Sequence, residues 1–121
     1  MQTLKVLKEA ESYDGPSIVI AYSPCIAHGI DMMKTQVVQK RAVECGYWPL
    51  YKYNPSQEKP FVWENPEITG NYTEFIKSEN RYKSLIKKLG EENANAIFEK
   101  AHKDAQRRME AFKSLGEMQN M

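Results

Sequence analysis

The order of apolar runs and breakers predicts an α/β unit, helix–strand–helix–strand, followed by a helical hairpin. Three observations carry that prediction. Ser17-Ile18-Val19-Ile20-Ala21 is almost wholly apolar and rich in β-branched residues, the pattern of a strand buried on both faces. Segments with apolar residues at helical spacing lie on either side of it. Beyond residue 71 the apolar positions recur every three or four residues in two stretches separated by Gly90.

The first helix is expected to start at Thr3, whose hydroxyl can cap free N–H groups, and to carry Leu4, Leu7 and Ala10 on one face. Asp14-Gly15-Pro16 should end it, because Gly15 accepts a left-handed conformation and Pro16 cannot continue a helix. After the apolar strand and a loop, a second helix is predicted from Thr35 to Glu44, burying Val38 and Ala42 and stopped by Gly46. Tyr47 to Tyr53 reads as a second strand, which Pro49 confines to an edge or a strand start. Residues 56–71 hold Pro60, Pro66 and Gly70 among polar residues and read as a connector, with a short strand at Phe61-Val62-Trp63. Asn71 and Glu74 form a capping pair for a third helix with the stripe Phe75, Tyr82, Leu85, Ile86 and Leu89. The last helix opens on Glu91 and Glu92, favourable at the positive end of the helix dipole. It carries Ala94, Phe98, Ala101, Ala105, Met109, Phe112 and Leu115, with Asp104 and Arg108 spaced to pair. The resulting division is 1–55, 56–71 and 72–121.

Seventeen basic against sixteen acidic residues in 121 leave no electrostatic footprint for nucleic acid or an anionic membrane. The longest apolar run is far short of a bilayer span and no apolar signal segment opens the chain, so the default expectation is a cytoplasmic protein. The aromatic run from Tyr47 to Tyr53 lacks the accompanying Lys and Arg of a base-stacking platform and reads as packing. Lys87-Lys88 and Arg107-Arg108 read as solvated helix faces.

The chemistry-bearing stretch is Tyr22-Ser23-Pro24-Cys25-Ile26-Ala27-His28-Gly29, which follows the apolar strand directly. Open α/β sheets bind ligands outside the carboxyl ends of their strands, which is where this places Cys25. Pro24 has no N–H for a ladder and Gly29 permits a sharp turn. Cys25 and Cys45 are the only cysteines, and with His28 and His102 they are too dispersed for a zinc site. Any cluster bound here must recruit ligands from elsewhere. Cys45, at a helix end before Gly46, reads as core. A doubly apolar strand needs neighbours on both edges, and the chain supplies at most two or three short strands. Another copy or sequence outside the chain must complete the sheet; the second is the expectation.

These residues resemble the C-terminal part of the pyruvate:ferredoxin (flavodoxin) oxidoreductases, a thiamine-diphosphate-dependent 2-oxoacid oxidoreductase family. The matching blocks are Glu9 to Ser17 running into Ile20-Ala21-Tyr22-Ser23-Pro24-Cys25, and Ala42 to Tyr51 with Gly46-Tyr47-Trp48-Pro49-Leu50-Tyr51 at its centre. A weaker match follows from Phe75 to Tyr82 and the last helix. The resemblance implies an incomplete C-terminal piece of a thiamine-diphosphate-binding fold with a helical tail. It implies Cys25 as one metal ligand, the fourth thiolate of a 4Fe–4S cluster, with the other three earlier in a longer polypeptide. His28, three residues on in the same loop, reads either as a donor to cluster sulfur or neighbour of the electron path, or as a solvated or backbone-bonded loop histidine, and Ala27 departs from the polar residue, often Asn, that the pattern has there. The Gly-Asp-Gly run that anchors Mg2+ and thiamine diphosphate is missing, since Asp14-Gly15 follows Tyr13 and serves as a turn. The implied reaction is oxidative decarboxylation of pyruvate to acetyl-CoA, with electrons passing through 4Fe–4S clusters to ferredoxin or flavodoxin. The implied partners are the remainder of the polypeptide, a second copy of the full-length enzyme and coenzyme A. The isolated chain is expected to hold no cofactor, to be inactive, and to be marginally stable or self-associating. A different class, a non-catalytic interaction module retaining the fold remnant, is the alternative.

Overall fold

The computed structural model describes residues 2–121. It shows a mixed α/β chain dominated by helix: α1 (Gln2–Ser12), α2 (Thr35–Glu44), β1 (Tyr51–Tyr53), β2 (Phe61–Trp63), α3 (Tyr72–Lys77), α4 (Asn80–Leu89) and α5 (Glu91–Gln119). Two single 3-10 turns, Ile26–His28 and Met32–Lys34, lie between α1 and α2. Among the described residues the only sheet is the antiparallel pair β1–β2, with Tyr51 opposite Trp63 and Tyr53 opposite Phe61.

The helix predicted from Thr35 to Glu44 forms with those bounds and buries Val38 and Ala42. Gly46 takes φ +76°, a left-handed conformation that suits glycine, and the chain reverses there. Asn71 caps α3 by accepting the Glu74 backbone N–H at 3.0 Å. Gly90 separates α4 from α5, and the two helices pack against each other, Tyr82 meeting the Phe98 ring edge-on at 6.2 Å.

The main core lies between α2 and the helices after residue 71. It comprises Val38, Ala42, Cys45, Tyr72, Phe75, Ile76, Ala94, Phe98 and Ala105, with Tyr22, Tyr47, Trp48, Leu85 and Ile86 packed at its border. The β-hairpin is fastened to the far end of α5. Asn120 accepts the Phe61 N–H at 3.2 Å and donates to its carbonyl at 2.8 Å, standing in for a third strand. Gly116 leaves room for the Phe61 ring, which lies 2.3 Å from where a Cβ would be. Tyr51 stacks on both Phe61 and Phe112.

Four expectations are corrected. The segment Ser17 to Ala21 is not a buried strand: it has no ladder partner, and Ile18 and Ile20 are 89% and 71% exposed. Its backbone groups need neighbouring strands, and among the described residues no strand pairs with it, since the sheet consists of β1 and β2 alone. Of the predicted helix–strand–helix–strand unit both helices form, but of its two strands only the second does, shortened to Tyr51–Tyr53 and paired with β2. Next, Thr3 lies inside α1 rather than capping it, and no residue of α1 is buried; Leu4 and Leu7 stay half exposed. Third, the helix predicted from Asn71 to Leu89 is two helices. The Ser78 hydroxyl donates to the Phe75 carbonyl at 2.6 Å and Glu79 is extended, with φ −96° and ψ 143°. A hydroxyl that takes a backbone carbonyl competes with the helix ladder. Finally, Asp104 pairs with Arg107 at 2.9 Å, one residue short of Arg108.

Candidate functional site

The Tyr22–Gly29 loop is held at several points. The Tyr22 carbonyl accepts from the Gln39 amide of α2 at 3.2 Å. The Tyr22 ring packs against Tyr47 at 5.9 Å and Trp48 at 5.7 Å. Pro24 is buried, whereas the Cys25 thiol and Ile26 are exposed. The Cys25 carbonyl accepts the His28 N–H at 2.9 Å, closing the turn, and the Cys25 N–H donates to His28 Nδ1 at 3.3 Å. Cys25 is exposed and forms no disulfide, so its thiol is accessible to a ligand.

Gly29 ends the turn at φ +70°, and the Asn80 side chain lies within 2.1 Å of where its Cβ would be. Both the backbone angle and the space therefore require glycine. That contact brings the loop onto the junction of α3 and α4, beside Glu79.

Glu79 has no exposed surface. Its Oε2 accepts Arg81 Nε at 2.5 Å, and Arg81 also donates to the Tyr47 hydroxyl at 2.8 Å. Glu79 Oε1 has no hydrogen-bond partner among the described residues and lies 3.8 Å from His28 Nδ1. The Tyr22 hydroxyl is also buried without a partner. Burial, reinforced by the Glu79 carboxylate, pushes Tyr22 up to about 12. His28, three residues after Cys25, thus approaches the buried carboxylate, and Tyr22, three before, is linked to it through Tyr47 and Arg81. Sequence reasoning missed Glu79 and Arg81. The available signal was a carboxylate on an apolar stripe: Phe75, Glu79 and Tyr82 share one face at helical spacing.

The other potential ligands are elsewhere. Cys45 is buried, its thiol donates to the Ala42 carbonyl at 3.6 Å, and burial pushes its pKa up. His102 stacks flat on Tyr72 at 5.1 Å. Among the described residues no group of three His, Cys, Asp or Glu could hold a metal ion. Cys25 is the one exposed thiol among the described residues, a donor set able to supply a single thiolate. No helix among the described residues is long and apolar enough to cross a membrane.

No family model matches this chain. It is 50% identical over 120 residues to a pyruvate:ferredoxin oxidoreductase of Moorella thermoacetica, covering 96% of this chain and 10% of the relative. A pyruvate-flavodoxin oxidoreductase of Enterobacter agglomerans is 43% identical over 94% of this chain, again 10% of the relative. A mitochondrial pyruvate dehydrogenase [NADP(+)] of Euglena gracilis is 41% identical over 92 residues, covering 71% of this chain and 5% of the relative. The chain is homologous to one segment of the pyruvate oxidoreductases. It spans about a tenth of the length of the ferredoxin and flavodoxin enzymes just named.

Proposed function

We propose that this chain acts as a segment of a thiamine-diphosphate-dependent pyruvate:ferredoxin or flavodoxin oxidoreductase, and that its chemical contribution is the Cys25 thiolate, one of four ligands to a 4Fe–4S cluster. The observation that carries this is the near-complete match of the chain to pyruvate oxidoreductases ten times its length. The exposure of Cys25 supports the ligand role, since a thiolate must reach iron held mainly by other residues. A cluster held in part by Cys25 would supply one-electron chemistry towards ferredoxin or flavodoxin. Coenzyme A receives the acetyl group.

This chain's own residues do the positioning. Gln39 fixes the carbonyl of Tyr22, Pro24 is buried just before the cysteine, and the turn closed by the His28 N–H holds the Cys25 backbone. His28, which accepts the Cys25 N–H, is the adjacent side chain placed to bear on a bound cluster. The division into a thiamine-domain part (1–55), connector (56–71) and helical tail (72–121) belongs to the same proposal. So does completion of the sheet around Ile18, Val19 and Ile20 by the remaining polypeptide, with a homodimer as the assembly and the cytoplasm as its compartment. The 121-residue chain by itself then binds neither cluster nor thiamine diphosphate and is inactive.

The test is Cys25→Ser in the complete oxidoreductase containing this segment. The expected outcome is loss of one cluster's electron paramagnetic resonance signal while the protein stays folded. An unchanged set of signals and unchanged iron content would contradict the ligand role. Anaerobic treatment of the 121-residue chain with iron and sulfide should yield no stoichiometric 4Fe–4S absorbance.

A further inference from the structure

We infer that Glu79 is the positioning residue of the Cys25 loop: one buried carboxylate, fixed by Arg81, sets both ends of the loop that carries the thiol. This rests on Cys25 being a cluster ligand and goes beyond it, because it assigns control of that ligand's placement to the α3–α4 junction, more than 50 residues along the chain.

A fully buried carboxylate is costly unless its oxygens are engaged. Here one oxygen is engaged by Arg81 and the other is directed into the loop. It lies 3.8 Å from His28 Nδ1, beyond hydrogen-bond distance, and that nitrogen's lone pair accepts the Cys25 N–H, so the carboxylate meets the histidine by packing and not by a hydrogen bond. Arg81 in turn reaches Tyr47, whose ring packs on Tyr22. Glu79, Arg81, Tyr47 and Tyr22 therefore form a chain of contacts that returns to the loop it supports. Beside it, the Asn80 amide lies against Gly29, so the residue after Glu79 holds the end of the same turn. The break after α3 makes this possible, because the extended backbone at Glu79 separates its direction from that of the helix on either side.

Two variants separate positioning from bulk stability. Glu79→Met removes both oxygens while filling the space, and the half-exposed Arg81 guanidinium can turn to water. Glu79→Gln keeps the side chain's shape and an acceptor for Arg81 while removing the charge. Amide hydrogen exchange on the 121-residue chain is the first readout. In Glu79→Met the His28 and Gly29 amides should exchange about tenfold or more faster, while Phe98 and Ala105 in α5 stay within about twofold. Glu79→Gln should return the loop amides to within about threefold of the parent. Equal acceleration in loop and α5 would show a merely structural role and overturn the inference, as would an unchanged loop in Glu79→Met. The second readout, in the complete oxidoreductase, is the reduction potential and resonance line shape of the cluster that Cys25→Ser removes. Both should change in Glu79→Met and recover in Glu79→Gln; no change in Glu79→Met would overturn the inference. If Cys25→Ser removes no cluster, the ligand reading fails by itself, and the exchange result still decides whether Glu79 sets the loop.

Discussion

Ser17 to Ala21 and the stripe of α5 have similar apolar character and opposite fates. Phe98 is 1% exposed and Ala94 and Ala105 are buried, whereas Ile18 and Ile20 face solvent. The difference is in the backbone. A helix satisfies its N–H and C=O groups within itself, so α5 needs only an apolar surface, which α3, α4 and α2 provide. A strand satisfies them only through neighbours, and an apolar run without neighbours cannot bury itself. Apolar sequence therefore shows where a core can form; the presence of ladder partners decides whether it does.

The contrast can be broken most strongly at its buried side. Phe98→Ala should cost about 3–5 kcal/mol in chemical denaturation of the 121-residue chain. Ile18→Ala should change the same stability by no more than about 0.5 kcal/mol. A large loss at Ile18 would mean that the apolar segment already has a core.

A smaller effect is expected where helix and sheet meet. Asn120→Ala removes two hydrogen bonds to the Phe61 backbone and should cost about 1–2 kcal/mol, with faster exchange of the Phe61 amide as the local signature. Unaltered exchange at Phe61 would show that the hairpin stands without its clamp.

The smallest effect concerns pH. The folded pKa of Tyr22 is raised to about 12, above its ordinary value near 10. A raised folded pKa gives stability that is fully present below about pH 10 and is lost as pH rises towards 12. Tyr22→Phe should leave stability near pH 7 within about 1 kcal/mol of the parent, because the hydroxyl has no partner to lose. It should also make the alkaline decline shallower. An identical decline in both proteins would remove Tyr22 from the Glu79 cluster.

What the sequence disclosed follows the same division. The α2 bounds, the Asn71 cap, the glycine stop at Gly46 and the break at Gly90 rest on contacts within a few residues, and all were legible. The pairing of Phe61-Val62-Trp63 with Tyr51 to Tyr53 was partly legible, since Pro49 and the apolar runs marked the strands but nothing marked Asn120 as their clamp. The state of Ser17 to Ala21 was not legible, because it depends on strands that the run itself does not encode. The break at Ser78-Glu79 was hidden by an apolar stripe that continues through it from Phe75 to Tyr82. At the candidate site, Cys25 and His28 stood out through residue type and resemblance. Glu79 joins the loop only through the fold.

The central claim is that the Ser17 to Ala21 segment lies unpaired in this chain and takes its ladder partners from the rest of a longer oxidoreductase. Amide exchange at Ile18, Val19 and Ile20, compared between the 121-residue chain and the complete enzyme, tests it most directly. The account predicts near-unprotected amides in the chain and protection higher by about a thousandfold or more in the enzyme. Protection in the chain already matching that of Phe98, or no gain in the enzyme, would contradict it.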